Sequence, residues 1–449
     1  MQAALGPRKD HIGALDGLRF CAAIFVAAAH YASWTLPAGA AKDVLIALSG
    51  LGMTLFFALS GFVIHYNYGT TLQQPGGLKK FAVARFSRLY PLYIVLFLAE
   101  FLLLYGHDRG SCAMAGHPGG LLFALPYYLT LTQDWVFGVI CKNSLIYQYG
   151  MMASVSWSIS AELFFYVVYC LYGRWAVARQ PLVLFIVAGL GYVVLFVFVS
   201  ECFLHSGAIE KAALAAFGPV ATEGYGYQDS LIRWLYYFCP VSQLAHFLGG
   251  VAVAQAFMRR KPIPLRGTLI VPLCVGAALA AHLYLYQVIA PTNGFVARNA
   301  PSFYGPLVVI AILALTMWPE TATAKLLSRP FMVKSGEASY SLYLLHAFMS
   351  PLMFRLTVVG LPGWVLWAAS LAILLGMSRA SYVLFERPAR TLLRGVLSSA
   401  PPTPGPAPAP AFAKATHAQY QAQKKSDVGA TLGATAAPAG KSERRSTAT

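Results

Sequence analysis

Residues Leu15–Tyr31 read LDGLRFCAAIFVAAAHY. The stretch is apolar and long enough to belong to a helix that crosses a hydrocarbon core, yet it carries Asp16, Arg19 and His30. Charge is costly at that depth, so such groups are functional candidates by default. Arg19 and His30 are eleven positions apart, about 16 Å along a helix and nearly in register on one face.

Outward from this stretch the same texture continues. Of 449 residues, 58% are hydrophobic and 11% charged, far from the quarter or so of charged residues usual in a soluble enzyme. The apolar residues fall in blocks at roughly 14–36, 44–66, 89–105, 154–173, 181–200, 240–258, 268–289, 303–318, 338–357 and 362–384. The blocks predict an all-α polytopic membrane protein of about ten transmembrane helices. The net charge is +17, but the cations sit in alternate short loops, among them Lys79, Lys80, Arg85 and Arg88, Arg174 and Arg179, and Arg387, Arg390 and Arg394. No basic stripe with an aromatic platform accompanies them, so no nucleic-acid partner is expected. The positive-inside pattern instead predicts both termini in the cytoplasm. Residues 1–397 are read as one integral-membrane domain, and 398–449 as a disordered Pro/Ala-rich cytoplasmic tail. Cys112, Cys141, Cys202 and Cys239 fall in or beside outer loops, where up to two disulfides are permitted with three possible pairings.

Further polar groups interrupt other spans. The fourth block, SVSWSISAELFFY, places Ser154, Ser158 and Glu162 at i, i+4 and i+8, a polar stripe in which a buried carboxylate needs a partner. His30 is expected at a similar depth, with Glu162 fixing its tautomer so that the imidazole serves as a general base. The ninth block, SYSLYLLHAF, sets Ser339, Tyr343 and His346 on one face beside Tyr340 and Ser341. In the second, FFALSGFVIHY, Ser60–Gly61 permits close backbone approach. The segment FAVARFSRLYPLY puts Arg85 and Arg88 at a helix start, a cationic pair suited to phosphate groups. Neither HExxH nor a CxxC pair occurs, so no metal site is expected.

Arg19-x10-His30, FFALSGF, Arg85-x-x-Arg88, WSISAE, SYSLYLLH and the terminal FERP (Phe385–Pro388) occur in this order. Together they resemble the membrane-bound acyltransferase-3 family over about residues 12–390. The resemblance implies a ten-helix core in a plasma (inner) membrane that takes an acyl group, usually acetyl, from cytoplasmic acyl-CoA (acetyl-CoA). The acceptor is a hydroxyl of a sugar, lipopolysaccharide, exopolysaccharide or related glycoconjugate. It implies His30, Glu162 and Arg19 as catalytic residues and Arg85, Arg88 and Arg19 as holding the donor. Ser154, Trp157, Ser158, Tyr340 and His346 are then expected to contact the acceptor, with membrane lipids as the surroundings. One subgroup appends an extracytoplasmic esterase-fold domain; here the last helix leads to the Pro/Ala-rich tail. A proton-coupled transporter is the rival reading, since a relay also uses buried Arg, His and Glu.

Overall fold

A computed structural model describes residues 12–105, 120–140, 143–147, 154–226, 229–259, 269–284 and 294–398. The tail from 399 onward, Cys112 and Cys141 lie outside the described residues. The helices, in order, are α1 Gly13–Thr35, α2 Ala40–Tyr68, α3 Gly77–Tyr105, α4 Gly120–Thr130, α5 Trp157–Ala178, α6 Pro181–Leu204, α7 Ser206–Phe217, α8 Pro240–Met258, α9 Ile270–Leu283, α10 Gly294–Met317, α11 Ala322–Leu327, α12 Pro330–Glu337, α13 Ser339–Leu356, α14 Gly363–Ser381 and α15 Arg387–Ser398. A two-stranded antiparallel hairpin, Val139–Ile140 with Asn143–Ser144, lies between α4 and α5. The helices α6, α8 and α12 each begin on a proline, whose missing N–H would be unbonded there in any case.

Over its described residues, each of the ten apolar blocks falls on a helix. Among the described residues six helices are long and apolar enough to cross a membrane: Gly13–Thr35, Ala40–Tyr68, Gly77–Leu102, Pro181–Leu204, Leu231–Met258 and Gly363–Ser398. Phe303–Met317 is apolar but shorter. The helices α5 and α13 fall outside that set although both are well formed; their polar side chains line the site described below.

Three features differ from the sequence reading. The helix α3 begins at Gly77, so Arg85 and Arg88 lie within it and not in a loop ahead of it; hydropathy misses a helical stretch that carries charge. The helix α5 begins at Trp157 behind a turn at Ser156, which leaves Ser154 before the helix and breaks the regular stripe. Neither Cys202 nor Cys239 is in a disulfide.

The helix α2 is the hub, packing most extensively on α1 and α8. The α2–α8 crossing is built on glycine. A Cβ on Gly61 would lie 2.0 Å from the Phe247 carbonyl oxygen, and one on Gly250 would lie 1.8 Å from that of Ala58. The two backbones therefore meet with no side chain between them, as small-residue interfaces allow. Most of α8 is buried. By contrast α6 turns Leu190, Val193, Val194 and Val197 outward, as expected of a helix whose solvent is lipid.

Gly250→Ala should destabilise by about 1–3 kcal/mol, because backbone must give way. At Gly276, with open space around its Cβ position, the same change should be neutral or slightly stabilising. Thermal melting of the two variants in detergent checks both; equal melting temperatures would contradict the close crossing.

Candidate active site

Two cavities meet at Arg19 and Arg88, which stand in the walls of both. The wider, about 510 Å³, is lined by five arginines, Arg19, Arg85, Arg88, Arg390 and Arg394, with Asp16, Asn67 and Tyr68. The narrower, about 60 Å³, is an inner chamber walled by Ser60, Ser158, Glu162, Ser339, Tyr340 and Tyr343, with Met53, Phe56 and Phe57 among its apolar groups. Helix α1 delivers Arg19 to this junction, α3 delivers Arg88, α5 the Ser158–Glu162 face, and α13 the tyrosines.

Several polar groups at the junction are held. Arg19 reaches Asp16 at 4.0 Å. Arg85 is buried, donates from Nη2 to the Tyr68 hydroxyl at 3.0 Å, and lies 4.7 Å from the centre of that ring. Its guanidinium is thereby stacked and bonded at once, which lysine would not reproduce. Glu162 accepts from Ser60 Oγ at 3.0 Å and from the Tyr166 hydroxyl at 2.6 Å, both at Oε1; no donor among the described residues reaches Oε2. Ser158 Oγ donates to the Tyr343 hydroxyl at 2.7 Å, which donates to the Val155 carbonyl at 2.9 Å.

His30 is not oriented by Glu162. Its Nδ1 lies 2.8 Å from Nε2 of His346, and the two rings are nearly parallel, 13° apart. The other nitrogen of His346, Nδ1, bonds to the backbone carbonyl of Tyr343. A carbonyl only accepts, so His346 carries its proton on Nδ1 and offers a lone pair at Nε2. With both rings neutral, His30 must donate from Nδ1, leaving its own Nε2 as a free lone pair. The chain Tyr343 carbonyl–His346–His30 does what a carboxylate does for a catalytic histidine: it fixes the tautomer. His30 is half-buried, whereas His346 is fully buried and its ring packs tilted against Tyr343. The pair therefore connects to the chamber through a residue of the chamber wall.

Residues 12–384 match the acyltransferase domain family model. The chain belongs to the acyltransferase-3 family. This acyltransferase is 33% identical over 207 residues to protein 2 in the picA locus of Rhizobium radiobacter, a span covering 42% of this chain and 94% of that one. It is 30% identical over 173 residues to the acyltransferase MdmB of Streptomyces mycarofaciens, 37% of this chain and 41% of the relative. To nodulation protein 10 of Rhizobium leguminosarum bv. viciae it is 24% identical over 403 residues, 86% and 97% of the two chains. No solved structure matches it. With its apolar helices and this family, the acyltransferase is a membrane protein.

Of the residues singled out from sequence, Arg19, Arg88, Ser158, Glu162 and Tyr340 share the chamber wall, and Arg85 the wider cavity. His346 sits behind the wall, on His30. Trp157 packs instead in an aromatic cluster with Phe57, Tyr237 and Phe238, and buried Ser154 is not among the lining residues. Sequence reasoning missed Ser60, Tyr166, Tyr68, Arg390 and Arg394 as members of the site, and it left Tyr343 unassigned. It also left the FERP glutamate unexplained. Glu386 is buried and accepts from Ser341 Oγ at 2.7 Å, tying the start of α15 to α13. An acidic residue in an otherwise apolar run was the available signal.

Ser341→Ala strips this buried carboxylate of its donor and should cost about 1–3 kcal/mol. Glu386→Gln keeps an acceptor for Ser341 and should cost less. Thermal melting that ranks the two variants the other way would remove the tie.

Proposed function

We propose that this acyltransferase moves a short acyl group, acetyl, from acyl-CoA to a hydroxyl of a sugar or polysaccharide at the membrane. The supporting observation is that an arginine-lined cavity and a hydroxyl- and carboxylate-lined chamber share Arg19 and Arg88 as common wall. A CoA thioester has matching parts: phosphates for the arginines and a thin arm that ends in the acyl group. On the positive-inside reading the arginine cavity faces the cytoplasm, in a ten-helix core of the plasma (inner) membrane with both termini on that side. The acceptor, lipopolysaccharide, exopolysaccharide or another glycoconjugate, approaches from the other side. The small chamber suits acetyl better than a long chain, since about 60 Å³ holds only a few water-sized groups.

In the proposed reaction Arg85 and Arg88 hold the donor's phosphates. The acceptor hydroxyl gives its proton to Nε2 of His30 as its oxygen attacks the thioester carbonyl carbon. Arg19, about 16 Å along α1 from His30, is too far to act on the same carbonyl and grips the donor with Arg85 and Arg88. The C–S bond then breaks and the proton passes from His30 to the departing thiolate, which leaves an ester and free CoA thiol. His346 acts on this sequence only by holding the tautomer of His30. Glu162, anchored at Oε1, turns its second oxygen to acceptor hydroxyls and balances the charge of Arg19. No metal enters.

Labelled acetyl-CoA consumed by the full chain in proteoliposomes tests the reading. His30→Ala should lower turnover by about 10²–10⁴-fold. His346→Ala should lose part of that amount, and His346→Gln, which restores an acceptor for the His30 Nδ1–H, should recover more activity than the alanine. Arg85→Ala with Arg88→Ala should raise KM for acetyl-CoA while the protein stays folded. Turnover near wild type in His30→Ala would discard the base assignment. Absence of any consumption by folded protein would restore the proton-coupled transporter.

A further inference from the structure

The wider cavity holds more positive charge than its own walls neutralise. Its five arginines are Arg19, Arg85, Arg88, Arg390 and Arg394, and Asp16 is the one carboxylate in the wall. Two more carboxylates lie within electrostatic reach from behind, Glu162 of Arg19 and Arg85, and Glu386 of Arg88, Arg390 and Arg19. The balance is still two cations in excess. Arg390 feels Arg88, Arg394 and Arg85 as like charges. Among the described residues the side chain of neither Arg88 nor Arg390 makes a hydrogen bond or an ion pair, and Arg394 reaches Ser87 Oγ at 3.3 Å.

Arg390 and Arg394 come from α15 and lie one turn apart on one face of that helix. They are half-buried, whereas Arg387, Thr391 and Leu392, which line a separate groove, are exposed. The family match ends at residue 384, so both cations lie beyond it. What aims them is the bond from Ser341 to Glu386 immediately before α15. Crowded guanidiniums that repel one another, two of them with no side-chain partner among the described residues, are the arrangement expected around an anion with several oxygens, which each fork can grip bidentately.

We infer that Arg390 and Arg394 form, with Arg85 and Arg88, a site for a ligand bearing phosphoryl groups, closed on one side by α15. Two sources present that chemistry: the polyphosphate of a soluble nucleotide-type donor, and the headgroup of an anionic phospholipid. The first deepens the donor reading above and rests on it; the second does not.

The test uses the full chain in nanodiscs of zwitterionic lipid, with CoA as the probe in calorimetric titrations. A parallel arm adds phosphatidylglycerol and counts the copies retained, by native mass spectrometry. Arg390→Gln with Arg394→Gln should weaken CoA binding by about 10–100-fold, the range for lost charge-assisted hydrogen bonds. Arg387→Gln, at an exposed cation in the wall of a separate groove, should weaken either ligand far less than the double change. If CoA binds equally well to the double variant but phosphatidylglycerol retention falls, the site stands and the source is a headgroup. If wild type binds no CoA and retention still falls, the donor reading fails while this one holds. Unchanged CoA binding together with unchanged retention overturns it. Should the glutamine pair not fold, Arg390→Lys with Arg394→Lys keeps the charge and loses the fork. Reduced binding in either arm then supports the site, and wild-type behaviour in both overturns it.

Discussion

Arg19 sets the terms for the rest of the site. A guanidinium on an apolar helix cannot shed its charge and cannot be left alone in a low-dielectric interior. It therefore requires carboxylates, and Asp16 on its own helix meets only part of the need, at 4.0 Å. Glu162 from α5 contributes the rest and is in turn fixed by Ser60 of α2 and Tyr166 of α5. One buried charge thus recruits groups from three helices. Because the wall groups are polar, the space between them is one that water or a polar ligand can occupy.

The fold was legible wherever hydropathy decides it. Over their described residues the ten apolar blocks fall on helices, and the closeness allowed by Gly61 was readable from Ser60–Gly61 alone. Hydropathy misjudged the parts that serve the site. The start of α3 was missed because Lys79, Lys80, Arg85 and Arg88 look like a loop when only apolar content is scored, although straight-chain residues suit helices well. Likewise α5 and α13 carry the polar faces of the chamber, so their burial comes from neighbouring helices and not from lipid.

The site itself was legible as a set of residue types and not as a set of pairs. Periodicity placed Arg19 with His30 and Ser158 with Glu162, since both pairs lie within one helix. It could not choose between Glu162 and His346 as the partner of His30, because that choice depends on how α1, α5 and α13 pack. Spacing within α13 put Tyr343 and His346 one turn apart, but the use of the Tyr343 backbone carbonyl as acceptor is invisible to side-chain reasoning. The same holds for Arg390 and Arg394: read as anchors of orientation, they become wall residues only once Glu386 is seen held by Ser341.

The glycine crossing of α2 and α8 has a mechanical side. Helices separated by side chains can slide, because rotamers change to let ridges pass. Where backbone meets backbone no such lubricating layer exists, and axial displacement drives Cα into carbonyl. The helices α2 and α8 therefore behave as a single rigid post, with Ser60 and the Phe62–Tyr68 wall of the wider cavity mounted on it. Any widening that admits a bulky ligand must be taken up opposite that post, by α3 and by α15, which is exposed along one side and fastened near its start by a single carboxylate.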